Sequence, residues 1–161
     1  MSTYKNNIPL PFHSRIAAAD NVVPYNGYAI LGGAAADILG AFYAPFKCRI
    51  KRAGLLITET VAAATTAPVF HFDKEDAGTA PTSDGDVAII TVPNAMAAGY
   101  FVYDDYPMTT RINFEPGEWI LVEMHTDAAH TATVAGKVIP FLIVEEVPEV
   151  ADNITTMVET A

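Results

Sequence analysis

From residue 46 onward apolar residues recur at every second position, and this period of two constrains the fold more than any other feature of the chain. The segment FKCRIKRA puts Phe46, Cys48 and Ile50 on one side of an extended backbone and Lys47, Arg49 and Lys51 on the other. Successive side chains of a strand point to opposite faces, so this pattern predicts a half-buried strand with a cationic outer face. LLITETV (55–61) continues the β-branched character past Gly54. VFHFDK (69–74), VAIITV (87–92), YFVY (100–103), TTRINF (109–114), EWILVEM (118–124), TATV (131–134) and VIPFLIVEEV (138–147) read as further strands. Between them lie segments such as EDAGTAPTSDGD (75–86), dense in the residues that form turns.

Short strands at regular spacing indicate a sandwich or barrel. No helical segment is long or periodic enough for the crossover that a parallel sheet needs. Residues 28–45 contain Gly32, Gly33 and Gly40 and read as strand, glycine turn and strand. Pro9, Pro11 and Pro24 interrupt residues 1–27. Proline lacks an amide donor and fixes φ, which suits neither a helix nor a central strand. The expected organisation is therefore an extended N-terminal arm over 1–27, an all-β, jelly-roll-like β-sandwich or barrel over 28–147, and an acidic tail over 148–161.

FEPGEWILVEM (114–124) is the most informative local pattern. Pro116 and Gly117 stand where a type II turn wants them. Ile120, Val122 and Met124 then share one face of a strand, with Trp119 and Leu121 on the other. A strand apolar on both sides at its start is expected to be central to a two-layer fold.

Composition narrows the function classes. With 161 residues the chain buries enough surface to need no staple, and its single cysteine, Cys48, forms no internal disulfide. The formal net charge of −10 argues against a nucleic-acid partner and against anionic membrane surfaces. The start MSTYKNN lacks the apolar stretch of a signal peptide, and no window reaches the length of a membrane span, so a protein made in a cytoplasm is expected.

No set of residues makes a convincing active site. His71, His125 and His130 lack the spacing of a cupin-like metal centre, and the plainer reading is strand-end histidines. TSDGD (82–86) has turn composition without the ligand spacing of a calcium loop. The serines are confined to Ser2, Ser14 and Ser83, none in a nucleophile elbow. Cys48 sits on the inward side of its strand, where cysteine is usually inert filler. The paired acids Asp104 and Asp105, and Glu145 and Glu146, point apart on a strand. No catalytic residue, metal or cofactor is expected. The Lys47, Arg49 and Lys51 stripe reads either as a docking face for an acidic neighbour or as the cationic half of cross-strand pairs within its own sheet.

Taken over its whole length, the chain resembles the small acidic decoration, or cement, proteins of tailed-bacteriophage capsids. The resemblance is carried by the proline-containing NIPLPFHSR, the glycine-punctuated GYAILGGAAADILGAFYAPF, Ala/Thr-rich connections, the YDDYPMTTRINFEPGEWILVEM block and the acidic tail. It implies a virion structural protein, non-enzymatic, that binds the outer capsid surface as a homo-oligomer, often a trimer. Its partner would be the major capsid protein, whose neighbouring subunits it would bridge. Pro9, Pro11, Phe12 and Arg15 of the arm, with Lys47, Arg49 and Lys51, are the expected contacts. Deleting residues 1–20 is then expected to spare the fold and weaken attachment. The alternative is a carbohydrate- or receptor-binding sandwich with an aromatic platform drawn from Tyr100, Tyr103, Tyr106 or Trp119.

Overall fold

The computed structural model describes residues 7–14, 27–29, 37–62, 67–75, 86–105, 112–125 and 136–147. Every regular element among them is a strand: β1 (Ile8–Pro9), β2 (Phe12–Ser14), β3 (Tyr28–Ala29), β4 (Asp37–Tyr43), β5 (Cys48–Glu59), β6 (Val69–Glu75), β7 (Asp86–Thr91), β8 (Phe101–Asp105), β9 (Asn113–Phe114), β10 (Trp119–His125) and β11 (Lys137–Glu146). They form two antiparallel sheets of a β-sandwich. The first runs β1-β11-β5-β8, with β3 on β11 and β9 on β5; the second runs β2-β4-β10-β6-β7.

The alternation in the sequence becomes the sandwich directly. Phe42, Phe70, Phe72, Ile120 and Met124 of the second sheet meet Ile50, Leu55, Ile57 and Leu142 of the first, and all are fully buried. Fully burying one such side chain contributes about 1.5–3 kcal/mol. Aromatic rings tie the inner face of the second sheet together: Phe12 tilts against Phe42 at 5.0 Å, and Phe42 stacks along Phe72 at 6.4 Å. As its pattern indicates, β10 is central, between β4 and β6.

The arm expected over 1–27 is corrected wherever it is described. Ile8 and Pro9 pair with Val144 and Ile143 at one edge of the first sheet. Four residues on, Phe12, His13 and Ser14 pair with Phe42, Ala41 and Gly40 at one edge of the second. Leu10, between them, is buried in the core and donates its amide to the Leu142 carbonyl at 3.0 Å. Pro9 and Pro11 do bar a central strand, as the sequence implies. They leave the chain free to form two edge strands, and it crosses from one sheet to the other through them.

Two bulges modify β5. The register with β11 shifts between Ile143 and Val144, and again between Lys137 and Val138. The first shift leaves Lys51 opposite no residue of β11, so Arg52, which strict alternation sends inward, joins Arg49 on the outer face. Pro140, buried within β11, falls between the stretches that pair with β3 and β1. On that side no described strand needs its missing amide.

At the end of the sandwich the Pro-Gly turn forms as its sequence indicates. Gly117 has φ +98°, which a type II turn requires at that position, and the Glu118 amide reaches the Glu115 carbonyl at 3.2 Å. The buried Glu118 carboxylate closes the turn from inside: one oxygen accepts the Glu115 amide at 2.9 Å and the other meets Lys74 Nζ at 2.9 Å. Gly117 and Ala44 exchange further backbone bonds with this corner, fixing the end of β4 beside the start of β10.

Cys48 lies fully buried nearby, paired across the first sheet with Phe114 and Glu146. Burial, reinforced by the negative charge of Glu118, pushes its thiol up to about 12 from 9.0. The folded state therefore keeps a proton that the unfolded state loses above pH 9. This contribution favours the fold below pH 9 and is lost as the pH rises from 9 towards 12, at up to about 1.4 kcal/mol per pH unit. Denaturant unfolding of the wild type against Cys48→Val across pH 8–11 should show a steeper alkaline loss in the wild type. Equal slopes would contradict the burial argument.

Candidate binding surfaces

The cationic stripe carries three of the expected capsid contacts. Lys47, Arg49 and Lys51 do share the outer side of the first sheet, but each is engaged by the chain itself. Lys47 Nζ meets Glu115 at 2.7 Å, and Arg49 meets Glu145, its partner across β11, at 3.1 Å. Lys51 Nζ donates to Asn7 Oδ1 at 2.6 Å. The Glu145 side chain is only 8% exposed, so removing Arg49 takes a counter-charge from a nearly buried carboxylate. Of the two readings open for this stripe, cross-strand pairing fits Arg49 with Glu145, while Lys47 and Lys51 are held by residues outside the strands.

The arm residues divide as well. Pro9 and Pro11 are exposed. Phe12 is partly buried and spent on Phe42, which corrects its place among the contacts. Arg15 lies outside the described residues.

The exposed apolar surface lies elsewhere, in two places. On the first sheet, Tyr100, Phe101 and Tyr103 are 61, 55 and 47% exposed. Phe101 and Tyr103 stand on the outer face of β8, opposite Leu56 and Gly54 of β5. Phe141, opposite Gly54 on the other side, reaches across the glycine and meets Phe101 edge-on at 5.6 Å. A Cβ on Gly54 would sit 2.7 Å from the Phe141 ring tip and 2.5 Å from the Val102 carbonyl oxygen. The absent side chain is what lets this aromatic layer form. At one end of the layer Arg52 lies over the Tyr103 ring at 4.0 Å and grips Asp105 with two bonds of 2.5 and 2.9 Å. That grip holds the Asp105 carboxyl below its ordinary range. At the other end Lys137 pairs with Glu59 at 2.8 Å.

The second surface is on the opposite sheet. Tyr43 and Trp119, paired across β4 and β10, pack at 4.9 Å with both rings partly open to solvent. The docked Pro-Gly turn presents them together, with Pro45 and Pro116 exposed beside them.

Sequence reasoning names Tyr100, Tyr103 and Trp119 as candidate rings for a platform. The structure divides them between two sheets, and Tyr106 lies outside the described residues. It misses Phe101 and Arg52: Phe101 because YFVY alone does not tell an edge strand from an inner one, Arg52 because only the bulge turns it outward. Among the described residues no three His, Cys, Asp or Glu side chains gather as metal ligands. His71 stands opposite Glu123 on β10, while the TSDGD loop up to Gly85 and His130 lie outside the described residues.

Comparisons with family models, with curated proteins and with solved structures each return no match, so the likeness to capsid decoration proteins rests on the sequence features alone.

Proposed function

We propose that this protein is a non-enzymatic structural component of a virus particle, a decoration protein that binds the outer surface of a tailed-phage capsid and bridges its major capsid subunits. The observation that carries the reading is the pair of exposed aromatic surfaces on opposite sheets of one rigid sandwich. Solvent-facing aromatic clusters are the usual chemistry of protein contacts, and bridging follows when a homo-oligomer joined through one surface presents the other to the capsid from each copy. The whole-chain resemblance supplies the identity of the partner and the jelly-roll winding. The Tyr43–Trp119 corner is the better capsid contact, since the rigid Pro-Gly turn holds both rings in place and a pre-ordered surface loses little entropy on binding.

The alternative of a sugar platform draws on the same rings. Tyr103, however, already has a guanidinium over one face, and a sugar needs a flat open ring. The test is co-sedimentation with capsids that lack the protein. Wild type should bind saturably. Trp119→Ser combined with Tyr43→Ser should bind at least about tenfold more weakly, as expected for an aromatic anchor, while keeping its cooperative unfolding. Undiminished binding by that variant would remove the corner from the interface.

A further inference from the structure

We infer that the outer face of the first sheet is a self-association surface, and that its occupant is a second copy of this chain stacked face to face about a two-fold axis. This goes beyond capsid attachment, which is assigned above to the opposite sheet.

The face has a neutral apolar middle and a charged pair at each end. Along β5 the order is Arg52, Gly54, Leu56 and Glu59. Across these, β8 contributes Asp105, Tyr103 and Phe101, and β11 contributes Phe141 and Lys137. The bulge at Thr58 draws Glu59 in, so Arg52 and Glu59 lie almost equally far from Leu55. A two-fold axis across the strands at that point lays β5 on β5 of the second copy with the direction reversed. Arg52 of each copy then meets Glu59 of the other, and Tyr103 of each meets Phe101 of the other. Charges of opposite sign coincide at both ends, and aromatic rings coincide in the middle.

Two aligned sheets pack in this way inside any sandwich, about 10 Å apart. A two-fold contact is self-complementary, so every pairing occurs twice. The exposed parts of Phe101 and Tyr103 alone offer roughly 200 Å², since an aromatic side chain buries about 150–250 Å² when fully covered. Leu56, Phe141 and the end residues extend this towards the roughly 800 Å² per partner of a stable interface. An even, two-fold assembly differs from the trimer that the resemblance implies.

Sedimentation equilibrium on the full chain tests the inference, and capsid binding is scored separately so that the two proposals fail independently. Wild type should be a dimer. Phe101→Glu should be monomeric at the same concentration with its unfolding transition retained. Arg52→Glu alone and Glu59→Arg alone should each weaken dimerisation by at least about tenfold, because each puts like charges together at two symmetry-related places. The two substitutions combined should restore it to within about threefold of wild type. Both internal ion pairs are lost in that double variant, so only the contact between copies accounts for rescue. A monomeric or trimeric wild type, a dimer indifferent to Phe101→Glu, or a double variant no better than the single ones would overturn the inference.

Discussion

Removing residues 1–14 should lower the thermal unfolding midpoint by about 10–20 °C, more than any single core substitution. The segment supplies an edge strand to each sheet and drops Leu10 into the core between them. Losing a buried leucine costs about 2–5 kcal/mol, and the parts of Ile8 and Phe12 packed against the core add to that. Each kcal/mol moves the midpoint of a domain this size by about 2–4 °C. Phe42, fully buried under Phe12, would also be uncovered on one side. Calorimetry of the truncated protein measures the loss. An unchanged midpoint would mean that β1 and β2 contribute nothing to the fold, and would return the segment to the role of an arm.

Gly54→Ala should cost about 3 kcal/mol, the upper end of what overpacking usually costs. The new methyl group would meet backbone at the Val102 carbonyl and the Tyr103 Cβ at 2.6 Å, neither of which is the yielding end of a flexible side chain. β8 must move away from β5, and the Arg52 contacts with Tyr103 and Asp105 loosen with it. Gly99 makes a useful contrast. It has φ +88° and open space around the added carbon, so Gly99→Ala should cost only the backbone strain of roughly 1–2 kcal/mol. Denaturant unfolding of the two variants side by side separates crowding from strain. Equal losses would show that the close approach at Gly54 is not what holds the aromatic layer.

The strands were legible because alternation is a local property. Cys48, Ile50, Ile120, Val122 and Met124 turn inward as their spacing indicates, and the Pro116-Gly117 turn forms where its two residues demand it. The partners of those strands were not legible. β1 meets β11 across most of the chain's length and β4 meets β10 across about half of it, and no short window carries that information. Residues 8–14 show the limit: their prolines bar a central strand, but an edge strand and a free arm look alike in sequence. The cationic stripe was correctly placed on one face, yet the glutamates that engage it, Glu115 and Glu145, lie far along the chain. A bulge adds one unpaired residue and shifts the alternation beyond it, so Arg52 faces outward although strict alternation from Ile50 sends it inward.

The functional account turns on whether this sandwich attaches to a shell. The direct measurement is co-sedimentation of the purified wild-type protein with capsids assembled without it, titrated to saturation and repeated with the Tyr43 and Trp119 substitutions. The account expects saturable binding at a fixed ratio to the major capsid protein, sharply weakened when the two rings are removed. No pelleting above a capsid-free control, at protein concentrations well above those of the particle's subunits, would contradict it.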